Sequence, residues 1–222
     1  MSFQFLENSS EEADIYEQTV IKIVMLGQCG TGKTSIVNRF VKDQFDPEIK
    51  TTVGANFFLR SINVDGLNFC IRLWDTSGQE RFNSLTPLYY RNSNIAILVY
   101  DIKDITSLEK VKYWIKEIHN NVKIMPFIVI VGNKMDQYDE KVDLKTLNLA
   151  KSVTEQIGAD IMHTSAKTGE GITEMFENIT RKVIKNRSKN VMQKVDSDIT
   201  EKPMPEIKEV GKTETEKKTK CC

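Results

Sequence analysis

An almost unbroken apolar run, Val20–Leu26, is followed at once by Gly27-Gln28-Cys29-Gly30-Thr31-Gly32-Lys33-Thr34, and then by Ile36, Val37, Phe40 and Val41 on one helical stripe. No other stretch of the chain restricts the fold so strongly. A continuous run of this kind suits a strand buried on both faces of a parallel sheet. The octapeptide fits the spacing G-x-x-x-x-G-K-[ST], set between such a strand and the start of a helix. Its glycines let backbone N–H groups turn inward around phosphate oxygens, and the helix N-terminus adds a positive field. Lys33 is placed to reach the β and γ phosphates of a nucleoside triphosphate, and Thr34 Oγ to ligate Mg²⁺. Gly27, Cys29, Gly30, Thr31, Gly32 and Ser35 complete the expected phosphate-binding set. The spacing alone implies no more than a nucleoside triphosphate, since kinases and ATPases share it.

The rest of the chain supplies partners for that strand. Ile95–Tyr100 and Phe127–Val131 are similar apolar runs, and Phe57–Val64 and Leu67–Asp75 flank Asp65-Gly66, a hairpin signal. Phe57–Val64, which carries Arg60 and Asn63, is expected at the sheet edge and antiparallel to its neighbour. Thr106-Ser107-Leu108-Glu109 has capping-box spacing and opens a helix with Val111, Trp114, Ile115 and Ile118 inward. A further helix is expected after Asp143, with Leu144, Leu147, Val153 and Ile157 inward. A last one from about Ile172 turns Met175, Phe176, Ile179 and Val183 inward. Strands alternating with helices imply a mostly parallel α/β sheet covered on both faces, with ligands outside the carboxyl ends of its strands.

Two more motifs fall after predicted strands. In Asn133-Lys134-Met135-Asp136, the Asp136 carboxylate can accept from both guanine N1–H and the N2 amino group, a donor pair that adenine lacks. Asn133 can brace the loop and bond the other edge of the base. In Trp74-Asp75-Thr76-Ser77-Gly78-Gln79-Glu80, Asp75 can hold Mg²⁺ through water, the Gly78 amide can approach a γ-phosphate oxygen, and Gln79 can orient an attacking water. Either Thr51 or Thr52 can offer Mg²⁺ a second hydroxyl when the γ-phosphate is present, so that two loops would order with the triphosphate and relax after hydrolysis.

Taken together, G-Q-C-G-T-G-K-T (27–34), T-V-G-A-N-F (52–57), W-D-T-S-G-Q-E-R-F (74–82), Y-Y-R (89–91), N-K-M-D (133–136), T-S-A-K (164–167) and the pair Cys221-Cys222 resemble the Rab branch of the Ras superfamily of small GTPases, in order and in spacing. The resemblance spans about residues 19–187 and the C-terminal pair. It implies the small-GTPase form of the P-loop NTPase fold, a six-stranded sheet with one antiparallel edge strand and helices on both faces. It implies a GTP/GDP-regulated switch that hydrolyses GTP in vesicle traffic, with Gln79 and Lys33 in the catalytic step and Thr34, Thr52 and Asp75 at Mg²⁺. It selects Thr52 over Thr51, packs Phe45 against the guanine, and makes Ser165, Ala166 and Lys167 a second base loop, with the Ala166 N–H on the base oxygen and the Lys134 and Lys167 stems across the ring. Phe57, Trp74 and Tyr89 match the family's effector-facing aromatics, although the same residues would also serve as core. Cys29, Ile49, Ser77 and Gln137 depart from the usual pattern. R-F-V-K-D-Q-F (39–45), S-L-T-P-L-Y-Y-R-N-S-N (84–94) and M-H-T-S-A-K (162–167) resemble Rabs of the early endosome.

Three segments are expected: an acidic extension at 1–18, a GTPase domain at 19–187 and a disordered tail at 188–222. The extension carries Glu7, Glu11, Glu12, Asp14 and Glu17 and no Lys or Arg, which argues against a basic secretory or transit leader. No apolar run nears the ~20 residues of a membrane span. The formal net charge of +0 gives nucleic-acid binding no support, and the four scattered cysteines form neither a disulfide framework nor a zinc spacing. By the resemblance, Cys221 and Cys222 take geranylgeranyl groups. Residues 188–220 hold eight lysines and seven acids, so no polybasic patch assists anchoring. The expected partners are GTP-dependent effectors, an exchange factor, a GTPase-activating protein, a prenylation escort and a GDP-dissociation inhibitor. The expected state is a monomer in the cytosol and on the cytoplasmic face of endomembranes.

Overall fold

A computed structural model describes residues 20–200, with the side chains of 141–143 and 188–200 left out of account. The predicted extension at 1–18 and the cysteines Cys221 and Cys222 lie outside the described residues. Six strands form one sheet: β1 (Val20–Leu26), β2 (Ala55–Val64), β3 (Leu67–Thr76), β4 (Ile95–Asp101), β5 (Phe127–Asn133) and β6 (Asp160–Thr164), in the order β2-β3-β1-β4-β5-β6. All pairs are parallel except β2 with β3, which are antiparallel and in register from Ala55↔Thr76 to Val64↔Leu67. Asp65 and Gly66 both have positive φ (53° and 85°), the geometry of a tight hairpin turn whose twist matches that of its strands.

The continuous apolar run of β1 is divided between two cores by the pleat. Ile21, Ile23 and Met25 face α1 (Lys33–Lys42) and α5 (Ile172–Thr200), where the rings of Phe40 and Phe176 stack with centroids 3.6 Å apart. Val24 and Leu26 face the opposite core, made with Val111, Trp114 and Ile118 of α3 (Ile105–Asn121) and Ala150 and Val153 of α4 (Glu140–Ile157). Burial on both faces is why the run does not alternate with polar residues. The short helix α2 (Thr86–Tyr90), which the sequence pattern did not signal, adds Tyr90 to the second core.

Four expectations change. The N-cap of α3 is Asp104, whose carboxylate accepts from Thr106 N (2.9 Å) and Oγ1 (2.6 Å), so Thr106 lies inside the helix. A carboxylate placed two residues upstream outcompetes a hydroxyl for the free N–H groups and suits the helix dipole. Glu109 pairs instead with Lys112, at 2.8 Å. In α4, Leu144 and Ile157 are exposed (46% and 40%), and the buried stripe is Thr146, Ala150, Val153 and Thr154. These sit at i, i+4, i+7 and i+8. The hydroxyl of Thr154 is compatible with burial because it donates to Ala150 O at 3.1 Å. β6, with few large apolar residues, gave no strand signal. Finally, α5 runs to Thr200, past the predicted start of a disordered tail at 188. Local i→i−4 bonding needs no apolar periodicity to continue a helix. The described residues divide between a folded unit ending at Lys185 and the helical stretch from Asn186. Among the described residues no helix is long and apolar enough to cross a membrane.

Because β1, β3, β4, β5 and β6 are parallel, the segments that follow β1, β3, β5 and β6 leave the sheet at one pole. The phosphate loop, the Asp75–Gln79 segment, Asn133–Asp136 and Ser165–Lys167 gather there.

Candidate functional site

The loop between β1 and α1 is held open by glycines at points where no side chain fits. A Cβ on Gly27 would fall 2.2 Å from Val99 O, and one on Gly32 2.3 Å from Asn133 Nδ2. Gly32, in the left-handed region, is the N-cap of α1 and gives no side-chain cap. The first N–H groups of α1 are thus available to an anion. Lys33 is buried, and its Nζ donates to Gly27 O (2.9 Å) and Gln28 O (2.8 Å), which aims the ammonium back over the loop. Burial lowers its pKa to about 8, against the opposing pull of Asp75.

Beside the lysine, the hydroxyls of Thr34 and Thr52 lie 2.7 Å apart, and Thr52 Oγ1 makes a long contact to Asp75 Oδ2 at 3.5 Å. Asp75 is fully buried at the end of β3, and its Oδ1 has no hydrogen-bond partner. Burial raises its carboxyl above the usual aspartate value, opposed by the Thr34 and Thr52 hydroxyls and by the Lys33 charge. A buried, orphaned carboxylate oxygen beside two hydroxyls is costly unless something positive binds it. A hard cation that takes oxygen ligands, as Mg²⁺ does, fits this donor set.

Downstream, Ser77 N donates to Gly54 O (2.8 Å), linking the segment after β3 to the one before β2. Gly78 presses on the phosphate loop so closely that a Cβ there would lie 2.3 Å from Cys29 N. Gln79 is half-buried, and its N–H donates to Ser77 Oγ (3.3 Å), but it does not line the cavity described next.

That cavity, about 460 Å³, is walled by the phosphate loop with Lys33, Thr34 and Ser35, by Phe45 to Thr52 on one side, and by Asn133, Lys134, Asp136, Ala166 and Lys167 at the far end. Gly27, Thr31, Asp75 and Ser165 do not line it. Asn133 explains how the far end is tied to the near one. Its Nδ2 donates to Thr31 O (2.9 Å), and its Oδ1 accepts from Thr164 Oγ1 and Ala166 N (both 3.2 Å). Its amide is therefore a brace between loops, with one Nδ2 hydrogen left over, and the Ala166 N–H is engaged by it. Ser165 Oγ donates to Asp136 Oδ1 (2.6 Å), and Lys167 Nζ stands 4.0 Å from Oδ2. Asp136 thus keeps one oxygen nearly unencumbered. The Lys134 head is turned to Asp101, at 2.6 Å. No motif gave a role to Asp101 or to Arg39, which opens the 39–45 stretch and holds the carbonyls of Ala166 and Lys167.

Away from the cavity, Trp74 lies between Phe57 (centroids 4.9 Å apart) and Tyr89 (5.2 Å). Trp74 and Tyr89 are half-buried against the second core, whereas Phe57 is 46% exposed. The three rings are both core margin and surface.

Comparison with known proteins agrees with this arrangement. The Ras family model matches residues 22–185. "Ras-related protein Rab-21" of Homo sapiens is 43% identical over 163 residues, 73% of this chain and 72% of that protein. "GTP-binding protein ypt5" of Schizosaccharomyces pombe is 42% identical over 163 residues, 73% of this chain and 77% of that protein. "Putative ras-related protein Rab-5B" of Dictyostelium discoideum is 38% identical over 165 residues, 74% of this chain and 76% of that protein. With its phosphate loop, paired threonines and guanine-type loop at one pole of this sheet, the chain belongs to the Ras family as a Rab-type small GTPase of vesicle trafficking, a hydrolase of GTP.

Proposed function

We propose that the cavity holds GTP or GDP with the phosphates on Gly27–Ser35 and the guanine between Phe45 and the Asn133–Asp136 and Ser165–Lys167 loops, and that the Thr52 and Gly78 segments report the γ-phosphate. What supports this most is the meeting of the Thr34 and Thr52 hydroxyls beside the unpartnered Oδ1 of Asp75. It joins the phosphate loop, the segment before β2 and the end of β3 at one point. Thr34, Thr52 and Asp75 would hold Mg²⁺, which when bound neutralises charge on phosphate oxygens. Lys33 carries its positive charge to the β and γ phosphates, Asp136 accepts from the guanine N1–H and N2 amino group, and Gln79 orients the attacking water. Gln79 has to swing toward the phosphates to do so, which leaves room for an activating protein to set it and to add an arginine in trans. Gln79→Leu is expected to slow intrinsic single-turnover GTP hydrolysis roughly tenfold, because Lys33 remains, with GDP affinity unchanged. A wild-type rate in that variant would remove Gln79 from the mechanism.

The buried lysine makes nucleotide binding pH-dependent. Lys33 titrates at about 8 without phosphate, and phosphate favours its charged form. Below that pH it is an ammonium before and after binding, so affinity is flat. Above it, binding must take up a proton, and affinity falls toward tenfold per pH unit. Calorimetric GDP titrations in buffers of different ionisation enthalpy, kept below the pH at which guanine N1 ionises, measure that proton directly. Zero uptake at pH 8.5 contradicts the assignment.

The exposed Phe57 ring, with Trp74 and Tyr89, is the surface offered to effectors. An exchange factor, an escort for prenylation and a GDP-dissociation inhibitor follow from the same reading. The Rab-21 and Rab-5B relatives favour an endosomal membrane, with Cys221 and Cys222 as the lipid-bearing residues. One lipid chain anchors only marginally, and the tail has no polybasic patch to assist it. Cys222→Ser should therefore move most of the protein from the membrane to the soluble fraction of cells, and unaltered fractionation would refute dual anchoring.

A further inference from the structure

Arg39 stands one turn before the end of α1, and its guanidinium is engaged on every edge. Nε donates to Ala166 O (3.1 Å) and Nη2 to Lys167 O (2.9 Å). Nη1 donates to Asp43 O (3.1 Å) and to Asp43 Oδ1 (2.9 Å). The side chain is 18% exposed against 90% for its carboxylate partner, and the contact to Ala166 O is the most sheltered of the four. Asp43 ends α1 in the left-handed region (φ 53°), with its N–H returned to Arg39 O at 3.0 Å. Two residues further on is Phe45. On the other side the loop bends away through Gly169 (φ 89°), where an added Cβ would meet the stem of Arg39 at 3.6 Å. One planar group therefore joins the loop that carries Ala166 and Lys167 to the root of the segment that carries Phe45. These are the two opposing walls assigned above to the guanine.

We propose that Arg39 is a positioning residue for the base: it sets the width of the guanine slot by clamping the Ala166–Lys167 loop to the end of α1, without touching the nucleotide. This rests on the placement of guanine proposed above. The fork is essential to the idea. A guanidinium presents N–H groups in one plane and can hold two successive carbonyls and a third group at once, whereas an ammonium on the same stem is a point donor. The clamp also complements the Asn133 brace. Asn133 holds Ala166 by its N–H, and Arg39 holds the same residue by its C=O. Both walls are shared by GDP and GTP, and neither meets the γ-phosphate. The clamp should therefore act on nucleotide residence and leave the chemical step alone.

The test uses the full chain loaded with fluorescent GDP, or with GTP, in Mg²⁺. Arg39→Ala should raise the dissociation rates of both nucleotides by the same factor, roughly tenfold to a hundredfold, with single-turnover hydrolysis of already bound GTP at the wild-type rate. Arg39→Lys, which keeps the stem and the charge, should behave like Arg39→Ala, and it carries the test if the alanine variant does not fold. Asp43→Ala, which removes only the exposed carboxylate, should change dissociation less than threefold. Lysine restoring wild-type dissociation overturns the clamp, as does a loss of hydrolysis equal to the gain in dissociation. Asp136→Asn is the control for the underlying reading. If it leaves GDP affinity intact, the base slot is misplaced. If it destroys affinity while the Arg39 variants release nucleotide at the wild-type rate, the slot stands and the clamp is wrong.

Discussion

Asp136→Asn is expected to lower GDP and GTP affinity on the order of 10³-fold. A site built to hydrogen-bond a substrate group rejects ligands that leave its buried polar atoms unpaired far more strongly than an apolar pocket rejects a misfit. Asp136 lines the cavity while Ser165 Oγ donates to its Oδ1 at 2.6 Å and Lys167 approaches Oδ2 only to 4.0 Å. In the asparagine variant the side-chain oxygen can keep the Ser165 bond, so the loop stays folded and the new NH₂ is turned toward the base. That NH₂ confronts the N1–H and N2 amino donors of guanine, donor against donor. Xanthine, which carries a carbonyl where guanine has its amino group, would be favoured by the same change. Competition of GDP, xanthosine diphosphate and ADP against a fluorescent nucleotide reads all three outcomes. Undiminished GDP affinity, or a variant that gains ADP as readily as xanthosine diphosphate, would show that Asp136 does not read the purine edge.

The parts of this site that sequence could reveal are those whose chemistry is local. The glycines, Lys33 and Thr34 lie within eight successive residues, and their spacing already contains the loop geometry. The placing of Asp75 and Asn133 at or near strand ends follows from apolar runs that the two cores consume on alternate faces, although β3 extends to Thr76 and β5 two residues past the predicted Val131. What was not legible depends on residues far apart in the chain. Arg39 meets Ala166 and Lys167 across 127 and 128 positions, and no local pattern distinguishes that arginine from a solvated one on the outer face of a helix. The resemblance laid the stem of Lys134 across the base plane but said nothing of its head, which goes to Asp101, on the neighbouring strand. Asn133 was expected to brace the loop as well as to bond the base, and the three hydrogen bonds of its amide show which distant groups it braces. The α3 cap went astray for a different reason. Two overlapping local signals competed, and the carboxylate of Asp104 was the stronger acceptor.

Gly78→Ala should leave GDP bound and abolish the switch. Gly78 has no unusual φ; its requirement is space. An added Cβ would lie 2.3 Å from Cys29 N, 2.4 Å from the Gln28 carbonyl carbon and 2.6 Å from Lys33 Nζ. The lysine head could yield, but the other two atoms are backbone, and the glycines on either side of that backbone are crowded. Gly27 is already against Val99 O, and Gly32 against the Asn133 amide. On the other side, Thr76 Oγ1 is tied to Met25 O at 2.6 Å and Ser77 N to Gly54 O at 2.8 Å, so the displacement has to fall on residues 78 to 82. Gln79 moves with them, and its misplacement should slow intrinsic hydrolysis about as much as loss of its side chain does, roughly tenfold. The base slot lies elsewhere, and Lys33 Nζ is the flexible one of the three neighbours, so GDP affinity should fall less than hydrolysis. The fluorescence of Trp74, next to Asp75, should cease to distinguish the diphosphate from the triphosphate form, with the fully buried Trp114 as a constant background. Gly54→Ala is the informative contrast. No atom lies within 4 Å of its added Cβ, and only the positive φ of 69° opposes it, a strain of about 1 kcal/mol. If Gly78→Ala hydrolyses GTP as fast as Gly54→Ala and keeps the Trp74 signal, the close approach of Gly78 to the phosphate loop is not what couples nucleotide to switch.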